Sequence, residues 1–186
     1  MSSAGCSIPR EISTERCLLR VPELSDASAL FGIYGDATVM RYMQRPVTSS
    51  VDDCAALISS WRSAFLSGTS FRWGVYLSSA PSLLVGTAAL HYWSPASFRV
   101  ELGLDLARSC WGQGYATEVT RALIDLGFDS LGVHRIEIRC HPLNAASVAI
   151  ASKLGFTLEG ILRDYVFVPG TGFVDEAVYS LLLRER

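Results

Sequence analysis

The sequence is short of lysine. Lys153 is the only one, and arginine supplies the rest of the 16 basic residues. Against 18 acidic residues the net charge is −2, so no basic excess exists to drive sequence-independent nucleic-acid binding. No apolar run approaches the roughly 20 residues of a membrane span. The start, MSSAGCSIPREISTER, lacks the apolar stretch of a secretory signal. A cytoplasmic protein with neither a nucleic-acid nor a membrane partner is expected. The five cysteines (Cys6, Cys17, Cys54, Cys110 and Cys140) contain no C-x-x-C pair. That pattern excludes an obvious disulfide framework or zinc site and points to reduced thiols, with no metal.

About half of the 186 residues are apolar and 18% are charged. This suffices for one domain with a substantial core. Residues 1–10 read as a flexible tail and residues 11–186 as a single domain.

Residues 15–21, ERCLLRV, read as a strand, and PELSDASALFGIY as a short helix with Ser25 as its N-cap. GDATVMRYMQRPV reads as a loop or broken helix. From Val51, apolar residues at Cys54, Ile58, Trp61 and Phe65 keep a helical period, opened by Ser50 with Asp53 three residues on. FRWGVYL, LLVGTAALHYW and FRVELGLDLA follow as strands. Residues 115–128 return to helix, with Ala116, Val119, Leu123 and Leu126 on one face. HRIEIRCH alternates as a strand. NAASVAIASKLGF is a helix opened by Asn144 and closed by Gly155. The tail holds two strands around PGTG. The order is strand, two helices, three strands, helix, strand, helix, two strands: an α/β chain with one mixed sheet flanked by helices.

The stretch CWGQGYATE places Gly112 and Gly114 at the mouth of a helix. One reading is a simple turn. The other is an anion cradle, in which free N–H groups and the helix dipole favour phosphate. A Walker A loop is excluded because no Gly-Lys-Ser/Thr ending follows. A dinucleotide fingerprint is disfavoured because Ala116 and Thr117 stand where its third glycine is sought.

VELGLDLARSCWGQGYATEVTRALIDLGF resembles motif A of the GNAT superfamily of acyl-CoA-dependent N-acetyltransferases. HPLNAASVAIASKLGFTLEG is similar to the second half of the same core. FVDEAVYSLL and LLRVPELSDASALFGIYGDATVMRYM extend the likeness from about residue 14 to residue 183. Within the superfamily the chain is most similar to the RimJ/RimL-like branch, named for enzymes that acetylate ribosomal-protein N-termini.

The resemblance implies a GNAT fold with a splayed central sheet, acetyl-CoA or coenzyme A as donor, and direct transfer to a primary amine. It implies a pyrophosphate cradle at Trp111, Gly112, Gln113, Gly114, Tyr115, Ala116 and Thr117. The family pattern opens with Arg or Gln, where this chain has Trp111. It further implies that the strand holding Leu102, Leu104 and Leu106 carries the pantetheine arm, with an amide near Leu104 polarising the acetyl carbonyl.

Asn144 caps its helix and, by the same resemblance, lies near the cofactor arm. Ser147 is implied as cofactor-binding and as proton donor to the departing thiolate. The tyrosine that many members use stands at a position held here by Ala151; Tyr165 is a weak substitute. Glu101 is the implied base, with a plain ion pair to Arg99, Arg139 or His91 as its other reading. His91 also faces the substrate in one reading, whereas His134 and His141 read as surface or structural. Arg108 and Lys153 are candidates to neutralise phosphate. Tyr42, Trp73, Tyr92 and Trp93 read mostly as core, with one or two lining the acceptor cleft. Cys110 has no nearby base pattern, so an acyl-cysteine intermediate is not expected.

The expected acceptor is a primary amine, a protein or peptide N-terminus being one choice. The alternatives are a small-molecule amine (polyamine, amino acid or antibiotic) or a non-catalytic acyl-CoA-binding module. The expected assembly is a monomer or homodimer.

Overall fold

The computed structural model describes residues 8–186. Cys6 and positions 1–7 of the expected tail lie outside the described residues. Positions 8–10 are held: Pro9 accepts a hydrogen bond from the Trp73 indole at 3.0 Å, and Arg10 accepts one from the Val21 amide at 3.0 Å.

Among the described residues, eight strands form one mixed sheet. They are β1 (Glu11–Ser13), β2 (Cys17–Arg20), β3 (Phe71–Leu77), β4 (Ala80–Ser94), β5 (Arg99–Leu106), β6 (Arg135–Cys140), β7 (Thr157–Val168) and β8 (Gly172–Leu182). The order across the sheet is β1-β2-β3-β4-β5-β6-β8-β7. All neighbours are antiparallel except β5 and β6. The sequence reading expects seven strands; β1 is the addition. Three residues carry little periodic signal, and β1 exists because it pairs with β2.

The helices are α1 (Ala27–Tyr34), α2 (Ala37–Met40), α3 (Val51–Ser67), α4 (Tyr115–Asp129) and α5 (Ala145–Lys153). Apolar residues of α1 and α3, including Leu30, Tyr34, Cys54 and Ile58, pack with Tyr76 and Leu84 on one part of the core. A larger cluster joins Val119 and Leu123 of α4 and Ala151 of α5 to Val100, Leu102 and Ile136 of the strands. Cys17, Cys54, Cys110 and Cys140 are buried free thiols.

The expected caps hold for two helices. The Ser50 hydroxyl accepts from the Asp53 amide at 3.1 Å, and Asn144 Oδ1 accepts from the Ser147 amide at 3.3 Å. Ser25 does not cap α1. It lies in a 3-10 turn (Leu24–Asp26), and Asp26 takes the N-cap position. The Asp26 carboxylate is already engaged by the Glu23 amide, Arg20 and the Tyr76 hydroxyl.

The parallel pair decides where a ligand can enter. β5 pairs with β6 only over Arg99–Arg135, Val100–Ile136 and Glu101–Glu137. Beyond Glu101, β5 stays paired to β4 as far as Leu106, while β6 stays paired to β8 as far as Cys140. The two strands therefore part, and the backbone of β5 from Leu102 on has no strand partner on that side among the described residues.

Candidate active site

Two clefts meet β5 on either side of the point where it leaves β6. The larger, about 620 Å³, is lined by Leu104, Asp105 and Leu106 and by the β5–α4 loop. The start of α5 and the segment at residues 38–43 complete it. The smaller, about 340 Å³, is lined by Arg99, Val100 and Glu101 of β5, with Glu137, Arg139, Glu176, Gln44, Tyr92, Tyr165 and Val166.

In the larger cleft, Gly112 (φ +71°) and Gly114 (φ +84°) both adopt the left-handed conformation that other residues resist. Gly114 is the N-cap of α4 and has no side chain with which to cap it. The first amides of the helix are thus left for a ligand, at the positive end of the helix dipole. The Trp111 indole donates to the Leu106 carbonyl at 2.9 Å, pinning the loop to the end of β5. A cleft of this size with an uncapped helix start suits a long phosphate-bearing donor such as coenzyme A.

Most implied donor-site residues line this cleft: Leu104, Leu106, Trp111, Gly112, Gly114, Ala116, Thr117, Asn144, Ser147 and also Lys153. Three do not. Leu102 is buried in the core, so only its backbone faces the parted strands. Gln113 turns back to the Ser109 carbonyl at 2.7 Å. The Tyr115 ring lies under the Arg16 guanidinium at 4.7 Å. Tyr165 lines the smaller cleft, away from Ser147, and Arg108 lines neither.

The smaller cleft is built on charge. Glu101 Oε2 lies 3.4 Å from Arg139 Nε, and Oε1 lies 3.6 Å from His91 Nε2. Arg139 also holds Glu137 at 3.0 Å and the buried Glu176 at 3.2 Å. Gln44 donates to Glu176. Burial pushes the Glu101 carboxyl up to about 7; Arg139 opposes the rise, while Glu176 and Glu137 add to it. Burial, with Arg72 nearby, brings His91 down to about 4, so its imidazole is neutral at neutral pH. Glu137 has the opposite outcome. Burial works against its charge, but hydrogen bonds from Arg135 and Arg139 outweigh that and hold it below the usual carboxylate range.

Tyr42 lines the larger cleft and Tyr92 the smaller, whereas Trp73 is wholly buried and Trp93 partly so. Tyr42 also packs on His141, just past β6, at 5.3 Å. The segment at residues 41–44 thereby reaches both clefts.

The family model described as an acetyltransferase (GNAT) domain matches residues 16–157. The chain is 35% identical to the N-acetyltransferase p20 of Bacillus licheniformis, over 92% of this chain and 96% of that protein. It is 28% identical to the ribosomal-protein-serine acetyltransferase of Escherichia coli, over 55% of this chain and 57% of that protein. A GNAT-family acetyltransferase structure from Bacillus anthracis superposes with a TM-score of 0.82 at 26% identity, covering 94% of this chain and 99% of that one.

The chain belongs to the GNAT acetyltransferase family.

As a GNAT N-acetyltransferase it uses acetyl-CoA as its acetyl donor. Among the described residues no group of three or more His, Cys, Asp or Glu is arranged to hold a metal ion. No described helix is long and apolar enough to cross a membrane.

Sequence reasoning passed over two parts of this candidate site. One is the cluster of Glu137, Glu176 and Gln44 around Arg139. The other is the tether of the loop by Arg16, which donates from Nη1 to the Gln113 carbonyl at 3.0 Å. The alternating strand RIEIRC held a signal for the first, since Glu137 and Arg139 share a face two residues apart. Nothing local marked Arg16.

Proposed function

We propose that this enzyme acetylates the α-amine of a protein or peptide N-terminus by direct attack on acetyl-CoA. The observation that carries the reading is the half-buried Glu101 carboxyl, raised to about 7, in the cleft beside the parted strands. An α-ammonium ionises near 7.7–8.0, roughly within a unit of that base, whereas a lysine or polyamine ammonium ionises near 10.4. A base near 7 removes the first proton with little penalty and the second with a large one.

In this reading Glu101 takes a proton from the bound ammonium. The neutral amine then forms the C–N bond at the acetyl carbonyl carbon. An amide of the unpaired β5 backbone near Leu104 stabilises the oxyanion. As the C–S bond breaks, the hydroxyl of Ser147 gives the sulfur its proton and is reprotonated by the surplus proton of the nitrogen, relayed through solvent; Glu101 then releases its own proton to solvent. Ser147 lines the donor cleft, and its hydroxyl has no hydrogen-bond partner among the described residues. The likeness to a ribosomal-protein-serine acetyltransferase supports a protein acceptor.

The test is a panel assayed with acetyl-CoA: peptides with free N-termini, the same peptides with a blocked N-terminus and an internal lysine, and spermidine. Acetylation of the free N-termini is expected. Preferential acetylation of the lysine peptides or spermidine would overturn the α-amine reading.

A further inference from the structure

The ring of His91 lies on a charged face of the sheet. Its side chain is 21% exposed, on the sheet face that also carries Arg72, Glu101 and Asp105. His91 and Glu101 are directly paired across β4 and β5, and Ala89 and Gly103 are the next pair on that face. A Cβ on Gly103 would lie 3.0 Å from His91 Nε2 and 3.7 Å from Cδ2. Gly103 is not in the left-handed region, so backbone freedom does not explain its lack of a side chain; the imidazole occupies that space. Just beyond His91 the strand is irregular as far as Ser94, and Tyr92 takes φ +49°. Irregularities of this kind re-aim neighbouring side chains. Here Tyr92 faces the acceptor cleft while the preceding ring lies over Gly103 against Glu101.

We propose that His91 is a positioning residue for Glu101, and that Gly103 is the gap in β5 that lets the imidazole reach it. The inference rests on the reading of Glu101 as base. The groups facing this pair are Arg72 from β3, Tyr92 from β4, Arg99 from β5, Arg139 and Glu137 from β6, and Glu176 from β8. Arg139 supplies the cation on Oε2. On Oε1 a neutral imidazole orients the carboxyl without cancelling its charge. A second cation there would form a full ion pair and lower the basicity that the acceptor needs. The ELG triplet of β5 is then one device: Glu101 is the base and Gly103 is the room for the group that holds it.

The test reads Glu101 directly, by NMR titration of carboxyl-labelled glutamate with Glu101→Gln as the assignment control; no acceptor is needed. Wild type is expected to titrate near 7. His91→Gln should stay close to wild type, and His91→Lys should fall by about a unit or more. Gly103→Ala should displace the ring and shift the titration, but not in a His91→Ala background, because the two changes remove one contact. An unchanged midpoint in His91→Lys, or an equal effect of Gly103→Ala with and without His91, would overturn the proposal. If His91→Lys fails to fold, the Gly103→Ala pair still decides. Acetylation by Glu101→Gln is assayed separately. Retained turnover there sinks the base reading, whereas lost turnover with no His91 coupling sinks only this inference.

Discussion

Arg16 and Glu118 fasten the β5–α4 loop to the sheet. The Arg16 guanidinium donates to Glu118 at 2.8 Å and the Arg16 amide donates to the same carboxylate at 2.7 Å. The Thr14 hydroxyl adds a third bond at 2.6 Å. Burial works against the charge on Glu118, but these bonds outweigh it and hold the group below the usual carboxylate range. The bend between β1 and β2 is thereby fastened to the first turn of α4, and Arg16 also holds the loop carbonyl of Gln113. Glu118→Gln or Arg16→Ala is expected to raise the KM for acetyl-CoA by about tenfold with a smaller change in kcat. Steady-state kinetics over acetyl-CoA concentration checks this; an unchanged KM would mean that the loop holds its shape without the clamp.

Gly114→Ala places a side chain at φ +84°, with its Cβ 3.3 Å from Arg16 Nη2. The left-handed conformation alone costs a non-glycine residue about 1–2 kcal/mol. Gly112→Ala meets the same strain in open space. Both should weaken coenzyme A binding, Gly114→Ala more, as measured by isothermal titration. The opposite ranking would separate the Arg16 contact from the cradle.

Ser147→Ala is expected to lower turnover by about 10²-fold, the lower end for general acid catalysis. The acetyl-CoA dissociation constant should stay within about threefold, because Ser147 is bonded to Asn144 through its backbone amide and not its hydroxyl. Single-turnover kinetics checks the first value and titration the second. Equal losses in both would reassign Ser147 to binding.

Glu101→Gln should abolish most turnover while stabilising the fold at high pH. A carboxyl raised from 4.5 to about 7 binds a proton in the folded state that the unfolded chain has lost. Its stability contribution is therefore complete below about pH 4.5 and is lost as the pH rises to about 7, a difference of order 3 kcal/mol at most. The Tm of Glu101→Gln should exceed that of wild type at pH 8 by more than it does at pH 5. The wild-type kcat/KM should rise with pH through a limb near 7. Equal Tm differences at the two pH values would mean that Glu101 ionises freely.

Much of the proposed donor side was legible along the chain because its signals are local. Two glycines one residue apart, an Asn before a helix and a Ser three residues on need no distant partner to be recognised. Leu102, Gln113 and Tyr115 show the limit of local spacing. They belong to the same segment, where only their backbone could serve a ligand, because the core, the Ser109 carbonyl and Arg16 take their side chains. Ser25 misled because a favoured capping residue stood beside Asp26, whose burial and three partners settled the helix start instead.

The sequence by itself determined the elements, two helix caps and the strand–loop–helix proposed to receive the donor. Periodicity, capping and left-handed glycines act within a few residues. Tertiary structure decided the proposed acceptor side. Arg16 and Glu118 are 102 positions apart, and Glu101, Arg139 and Glu176 come from three strands. The basicity of Glu101 follows from its burial among those groups, because charge and desolvation depend on distances in space that no order of residues states.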